Sequence, residues 1–208
     1  VTFKERWKYE HGDPSVKLFD LCVQAGWIDL PDDAAVLELG CCETDFAKWF
    51  KAATQQGELI GVDVNATGDD NYDGVLRADA STVIFPYGSF DAVILLGALE
   101  HFGLGYYGDP VNASADIQTV ENAARWLKPG GFLYYDVPWT PETYYITENK
   151  HFRVYDDTAL QARLTGPLRL EQQAWADGSA TPGELVLARP EQPMVPFWYC
   201  ARLLRKDA

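Results

Sequence analysis

Residues 36–46 read Val-Leu-Glu-Leu-Gly-Cys-Cys-Glu-Thr-Asp-Phe, and residues 59–63 read Leu-Ile-Gly-Val-Asp. The first stretch is an apolar strand, a tight turn containing glycine, and the start of a helix. The second is an apolar strand closed by an acid. This succession is the nucleotide-type cofactor site of doubly wound α/β proteins. The turn lets backbone N–H groups approach a ligand. Asp63 stands where a carboxylate accepts hydrogen bonds from both hydroxyls of a ribose. The sequence therefore predicts an adenosine-containing cofactor.

The turn narrows the choice. A dinucleotide site needs Gly-x-Gly-x-x-Gly, because a pyrophosphate sits against the helix N-terminus. Here only Gly40 is present, with Cys42 and Thr44 at later positions where glycines stand in such motifs. Glu43 and Asp45 put negative charge at the helix start, which favours the helix and repels a pyrophosphate. S-adenosylmethionine has no phosphates and carries a sulfonium cation, so it fits this turn better.

These features resemble the class I S-adenosylmethionine-dependent methyltransferases. Glu38-Leu39-Gly40 is similar to the start of that family's first motif, and Asp63 to its ribose-binding acid. Ala78-Asp79-Ala80 resembles the loop whose acid meets the adenine amino group. Phe90–Leu96 followed by Gly97-Ala98-Leu99-Glu100-His101 resembles the fourth strand and the loop beside the methionine moiety. Trp126–Leu133 resembles the helix, turn and fifth strand. The resemblance covers roughly residues 33–138 and departs from the family in lacking the second and third glycines. It implies a Rossmann-like, seven-stranded, mostly parallel sheet with an antiparallel C-terminal hairpin. Cofactor contacts are then expected from Glu38, Gly40, Cys41, Cys42, Asp45, Asp63, Val64, Asp79, Ala80, Gly97 and Ala98. A narrower resemblance, over Leu99–Pro110, is to uncharacterised methyltransferase-like proteins, some of which accompany polysaccharide biosynthesis. It hints at a sugar acceptor.

Composition sets bounds. At 208 residues with 47% hydrophobic content, one α/β domain is expected. Its parts are residues 1–30 as N-terminal lid and helix, 33–138 as cofactor core, and 139–208 as acceptor-side loop and closing strands. A net charge of −14 argues against a nucleic-acid partner, whose phosphates need Lys and Arg. The clusters Lys4, Arg6, Lys8 and Arg202, Arg205, Lys206 read as solvated ends. No apolar run reaches transmembrane length, so the reading is a cytoplasmic chain with no membrane partner. The four cysteines have neither zinc spacing nor the density of a disulfide scaffold, which suits free thiols in a reducing compartment. No motif encodes an oligomeric state.

Along the chain, Ser15 is a candidate N-cap for a helix to about Ala25, with Gly26 as its stop. Strands are expected at Ala35–Leu39, Glu58–Asp63, Gly74–Arg77, Phe90–Leu96 and Phe132–Val137, and closing strands at Leu168–Trp175 and Phe197–Leu204. Helices are expected over about Glu43–Ala53, Ala115–Leu127 and from Asp156 or Asp157 to Leu164. Residues 102–113 form a glycine-rich loop, and the prolines at 182, 190, 193 and 196 mark an irregular stretch around a short strand at Leu185–Leu187. Ligands of such sheets lie beyond the carboxyl ends of the strands, here residues 40–45, 63–66, 79–80, 97–109 and 138–155.

Methyl transfer is a displacement in line at the sulfonium methyl, and an oxygen acceptor must lose a proton. His101 follows the fourth strand and is a candidate base or a residue that shapes the pocket. Glu100 reads as an orienting or capping residue. Asp109 either meets an acceptor hydroxyl or makes an Asp-Pro turn. Asp136 and His151 are a second constellation. His151 stands in a His-Phe-Arg-x-Tyr segment that, by the same resemblance, packs near the acceptor. A magnesium ion shared by Asp136, His151 and another acid is the metal-dependent route, although no spacing specifies one. Trp139, Tyr144, Tyr145, Phe152 and Tyr155 either stack on an acceptor or pack a lid.

The favoured function is methylation of a sugar or glycan hydroxyl. Against methylation of nucleic acid stand the charge, Gly97-Ala98-Leu99-Glu100 in place of an Asn-Pro-Pro-Tyr-type motif, and the lack of a Pro-Cys nucleophile. Methylation of a protein and a non-catalytic S-adenosylmethionine-binding scaffold compete with it. The eroded glycine motif motivates the scaffold; the three acids Glu38, Asp63 and Asp79 speak against it.

Overall fold

The computed structural model describes residues 2–10, 13–177, 183–190 and 198–208. Five strands run parallel: β1 (Ala35–Leu39), β2 (Glu58–Asp63), β3 (Gly74–Arg77), β4 (Phe90–Leu95) and β5 (Leu127–Trp139). A separate small ladder pairs β6 (Tyr145–Ile146) with β7 (Arg153–Val154). β8 (Arg169–Asp177) and β9 (Trp198–Arg205) pair antiparallel, and β9 lies antiparallel to β5. The seven-stranded sheet has the order β3-β2-β1-β4-β5-β9-β8, with the parallel strands reversing direction of travel between β1 and β4. This is the expected Rossmann-like sheet. His11, Pro182, Pro193, Pro196 and Phe197 lie outside the described residues. Leu185–Leu187 contributes a single bridge, Val186 with Trp175.

Helices cover both faces, which is why the parallel strands are apolar throughout. On one side lie α1 (Phe3–Arg6), α2 (Pro14–Gln24) and α3 (Phe46–Ala53); on the other lie α4 (Ala115–Trp126) and α5 (Asp157–Leu164). Strand alternation divides the core between the faces. Val36, Ile94 and Tyr134 face the N-terminal helices, whereas Leu37, Val93 and Leu133 face α4 and α5.

The N-terminal segment corrects one expectation. Phe3 and Trp7 are 1% and 0% exposed and pack on Phe19, Phe46 and Phe50. They belong to the core, not to a lid. The cap of α2 is also shifted by two residues. Asp13 accepts from the N–H groups of Ser15 and Val16 at 2.8 and 3.0 Å, and Pro14 occupies the first turn, where its missing N–H costs nothing. The basic clusters are solvated ends only in part, with Lys4 and Lys8 exposed. Arg6 pairs with Asp32, Arg205 with Glu171, and Arg202 is buried and donates to Gln173. No described helix is long and apolar enough to cross a membrane.

Candidate active site

The carboxyl ends of β1, β2 and β4 open into a cleft of about 1140 Å³, counting its solvent-open mouth. It lies where the strand order reverses, the place at which open α/β sheets hold ligands. Gly40 leaves β1 with φ +82°, and a Cβ there would stand 2.4 Å from the Cβ of Ala98. The turn can therefore be taken only without a side chain. It continues as a short 3-10 turn over Cys41–Glu43, and the helix starts only at Phe46, later than expected. Gly97 at the end of β4 has φ +56°, and a Cβ there would meet the Ser15 hydroxyl at 2.7 Å.

Of the cofactor residues expected from sequence, Gly40, Cys42, Asp63, Val64, Asp79, Ala80, Gly97 and Ala98 line the cleft. Asp63 Oδ1 accepts from the Asn65 N–H at 2.7 Å, and its Oδ2 faces the Cys42 N–H at 3.5 Å. Asp79 is fixed by the N–H and hydroxyl of Ser81, both at 2.8 Å. Three others do not line it. Glu38 is fully buried behind the turn, accepting from the hydroxyls of Thr44 at 2.5 Å and Tyr72 at 2.7 Å. Desolvation raises its pKa to about 8. Cys41 is buried and lies against Gly61 of β2, where an added Cβ would stand 2.8 Å from its sulfur. Asp45 turns to the indole N–H of Trp49. Thr44, at one of the missing glycine positions, thus ties the loop to β1 through Glu38.

The catalytic candidates separate likewise. His101 and Asp109 line the cleft; Asp136 and His151 do not. His101 and His151 are neighbours, with ring centroids 4.9 Å apart. His101 Nδ1 lies 2.6 Å from the carbonyl oxygen of His151. A carbonyl only accepts, so Nδ1 carries the proton. Burial lowers the His101 pKa to about 4, so the ring stays neutral and is a weak base. The His151 ring stacks on Tyr106 with centroids 4.1 Å apart and meets the Tyr107 hydroxyl at 3.2 Å. This group ties the glycine-rich loop to the 139–155 segment. Asp109 Oδ2 accepts from the Gly103 N–H at 2.6 Å, so part of its carboxylate is spent on the turn. Asp136 is sealed below the cleft floor. Asp136 and His151 do not form a shared metal site with another acid, since no group of three metal-ligating side chains occurs among the described residues.

The rest of the His-Phe-Arg-x-Tyr segment braces the wall. Fully buried Arg153 donates to the carbonyls of Glu100 and Phe102, at 3.3 and 2.6 Å. Tyr155 donates to Asp116, which also receives Arg163. Of the expected aromatic loop, Trp139 and Tyr155 are core residues and none of the five lines the cleft. Sequence reasoning missed several lining residues. Tyr107 falls within the expected 97–109 segment, but Asp13 and Ser15 come from the N-terminus and Tyr199 from the last strand. Nothing local in the sequence ties these distant positions to the site. Glu100, read as an orienting or capping residue, also lines the cleft. Among the described lining residues five are carboxylic acids (Asp13, Asp63, Asp79, Glu100 and Asp109) and none is Lys or Arg.

Comparison with known proteins agrees with this arrangement. A family model described as a methyltransferase domain matches residues 37–135. No curated protein matches the chain. The Burkholderia thailandensis 1,6-didemethyltoxoflavin-N1-methyltransferase, solved with 1,6-didemethyltoxoflavin and S-adenosylhomocysteine, is similar with a TM-score of 0.60 and 15% identity. The likeness covers 93% of this chain and 77% of that one. A Mesorhizobium loti S-adenosylmethionine-dependent methyltransferase is similar with a TM-score of 0.53 and 15% identity, over 88% of this chain and 95% of that one. The [4+2]-cyclase SpnF is similar with a TM-score of 0.64 and 16% identity, over 92% and 80%. At these identities the solved structures speak for the fold, which carries more than one named activity.

Proposed function

We propose that this class I S-adenosylmethionine-dependent methyltransferase acts on a small, uncharged acceptor and methylates a hydroxyl of the sugar or glycan kind. The carrying observation is the lining of the cleft beyond the cofactor turn. Asp13, Ser15, Tyr107, Asp109 and Tyr199 offer carboxylate, hydroxyl and phenol groups there, and no cation lines the described wall. Hydroxyl-rich acceptors donate to such groups, whereas a phosphate or carboxylate would be repelled.

The residues also fit the methyl donor. The side-chain-free cradle at Gly40 admits a ligand against the backbone, and an acid-lined cleft suits a cationic one. Asp63 is assigned the ribose hydroxyls, Asp79 the adenine amino group, and Gly97 and Ala98 the methionine side. When bound, the donor supplies an electrophilic methyl on a sulfonium. Asp109 and Tyr199 orient the acceptor, and neutral His101, held by His151, shapes the wall between them. The four free thiols support the cytoplasmic setting.

A screen for S-adenosylhomocysteine formation tests this reading. Neutral mono- and oligosaccharides should stimulate product formation, and duplex DNA, RNA and sugar phosphates should not. Stimulation confined to nucleic acid or to anionic acceptors would overturn the assignment.

A further inference from the structure

Two buried carboxyl groups beside the cleft carry oxygens with no hydrogen-bond partner among the described residues. Glu100 lines the cavity, is 3% exposed, and its Oε2 has no hydrogen-bond partner among the described residues. Asp136 on β5 is 0% exposed, and neither of its oxygens has one. The Ser15 hydroxyl and the Gly97 N–H favour its charged form, but without bonds of good geometry. Burial raises both acids, Asp136 to about 7, and the Asp136 charge is the largest electrostatic contribution to the rise at Glu100. Two such neighbours do not both ionise readily in a low dielectric.

The surrounding elements compensate the pair only in part. The segment before α2 brings Asp13, another acid, which feels the same burial. The thiols of Cys22 on α2 and Cys200 on β9, and the phenols of Tyr134 on β5 and Tyr199 on β9, are all pushed up and stay neutral. On the same turn, the His101 Nε2 stands 4.0 Å from Glu100 Oε1, but its ring is held neutral. Among the described residues Arg153 on β7 is the cation that acts on Glu100. Its Nη1 donates to two backbone carbonyls, its Nε faces Asp116 at 3.8 Å, and its Nε and Nη2 have no hydrogen-bond partner there. It offsets only part of the burial that raises Glu100.

Resting on the cofactor reading above, we propose that Glu100 and Asp136 are a charge-sensing pair that discriminates the cationic methyl donor from its neutral product. In the empty cleft the pair holds a proton. When a sulfonium binds, the pair releases that proton to solvent and becomes the missing counter-ion. The transferred methyl leaves sulfur with both electrons of the broken S–C bond and forms the new bond to the acceptor oxygen. The cleft loses its positive charge, and the pair takes back one proton, supplied by the acceptor hydroxyl. Donor retention and product release then follow from one electrostatic element.

Calorimetry with the full chain tests this without an acceptor. S-adenosylmethionine and S-adenosylhomocysteine are titrated at pH 7 in buffers of different protonation enthalpy. The dependence of the heat on buffer gives the protons released. Both ligands carry the same amino acid group, so its titration cancels in the comparison. The donor should release more protons than the product, by about 0.5–1, and its affinity advantage should grow about tenfold over two pH units. Glu100→Gln and Asp136→Asn should each diminish the difference while leaving product affinity within about threefold. Equal proton release by the two ligands overturns the proposal, as does a difference that persists in both variants. If Asp136→Asn fails to fold, Glu100→Gln and the wild-type pH series decide. Binding of neither ligand would overturn the cofactor reading, and the pair proposal with it.

Discussion

The two halves of the cleft are built in different ways. The half proposed to hold the donor rests on the carboxyl ends of β1, β2 and β4, whose parallel registers fix Gly40, Asp63 and Gly97 relative to one another. The half proposed to hold the acceptor is assembled from the N-terminal segment, the glycine-rich loop and the last strand, which supply Asp13, Tyr107, Asp109 and Tyr199. The sheet cannot shift one residue without turning its apolar side chains outward. Loops tied by a few hydrogen bonds carry no such constraint. One scaffold can thus keep one half of a cleft while the other is rebuilt.

The largest effect should come from the packing beneath the N-terminal segment. Trp7→Ala removes a fully buried indole and should cost about 3–5 kcal/mol in denaturant unfolding. A lid residue would cost under about 1 kcal/mol and would alter acceptor kinetics instead, restoring the lid reading.

Asp63→Ala attacks the donor half alone. It should weaken S-adenosylmethionine binding by roughly 1.5–3 kcal/mol, with little change in unfolding. A binding loss matched by an equal loss of stability would mean that Asp63 only holds the loop.

The pH dependence of the empty protein sharpens the same comparison. Glu38 and Asp136 are both held above their ordinary values by burial, so the folded chain keeps protons that the unfolded chain gives up near pH 4. The associated stability is complete below that point and is lost as the pH rises through about 7 and then about 8. The unfolding temperature should therefore fall between pH 6 and pH 9. A flat profile would show that neither carboxyl is held protonated.

The smallest effect belongs to the acceptor wall. His151→Ala loosens the Tyr106–Tyr107 contacts and removes the ring beside His101 but touches none of the residues assigned to the donor, so donor affinity should stay within about threefold. A larger loss would make the two halves one unit.

The strands and turns of the proposed donor half were legible because local chemistry writes them. Ala35–Leu39, Glu58–Asp63 and Gly74–Arg77 are apolar runs between turn residues, and the strands occupy those same bounds. Gly40, Asp63 and Asp79 follow their strands directly. The acceptor half was less legible because it depends on contacts far apart in sequence, such as Asp13 and Tyr199 across one cleft. Phe3 and Trp7 sit in a polar stretch with no periodicity, so nothing local distinguishes a core aromatic from a lid. Pro14 moved the cap from Ser15 to Asp13 because proline suits the first turn. Glu100 resembled a cap in sequence; only its burial and its unpartnered oxygen mark it as part of the cleft.

The most direct test of the account is a calorimetric titration of the full chain with S-adenosylmethionine and, separately, with NADH. The turn at Gly40 has no second or third glycine and is followed by acids, so the account predicts saturable binding of the first and none of the second at matched concentrations. Binding of NADH as tight as that of S-adenosylmethionine, or no heat from S-adenosylmethionine, would contradict it.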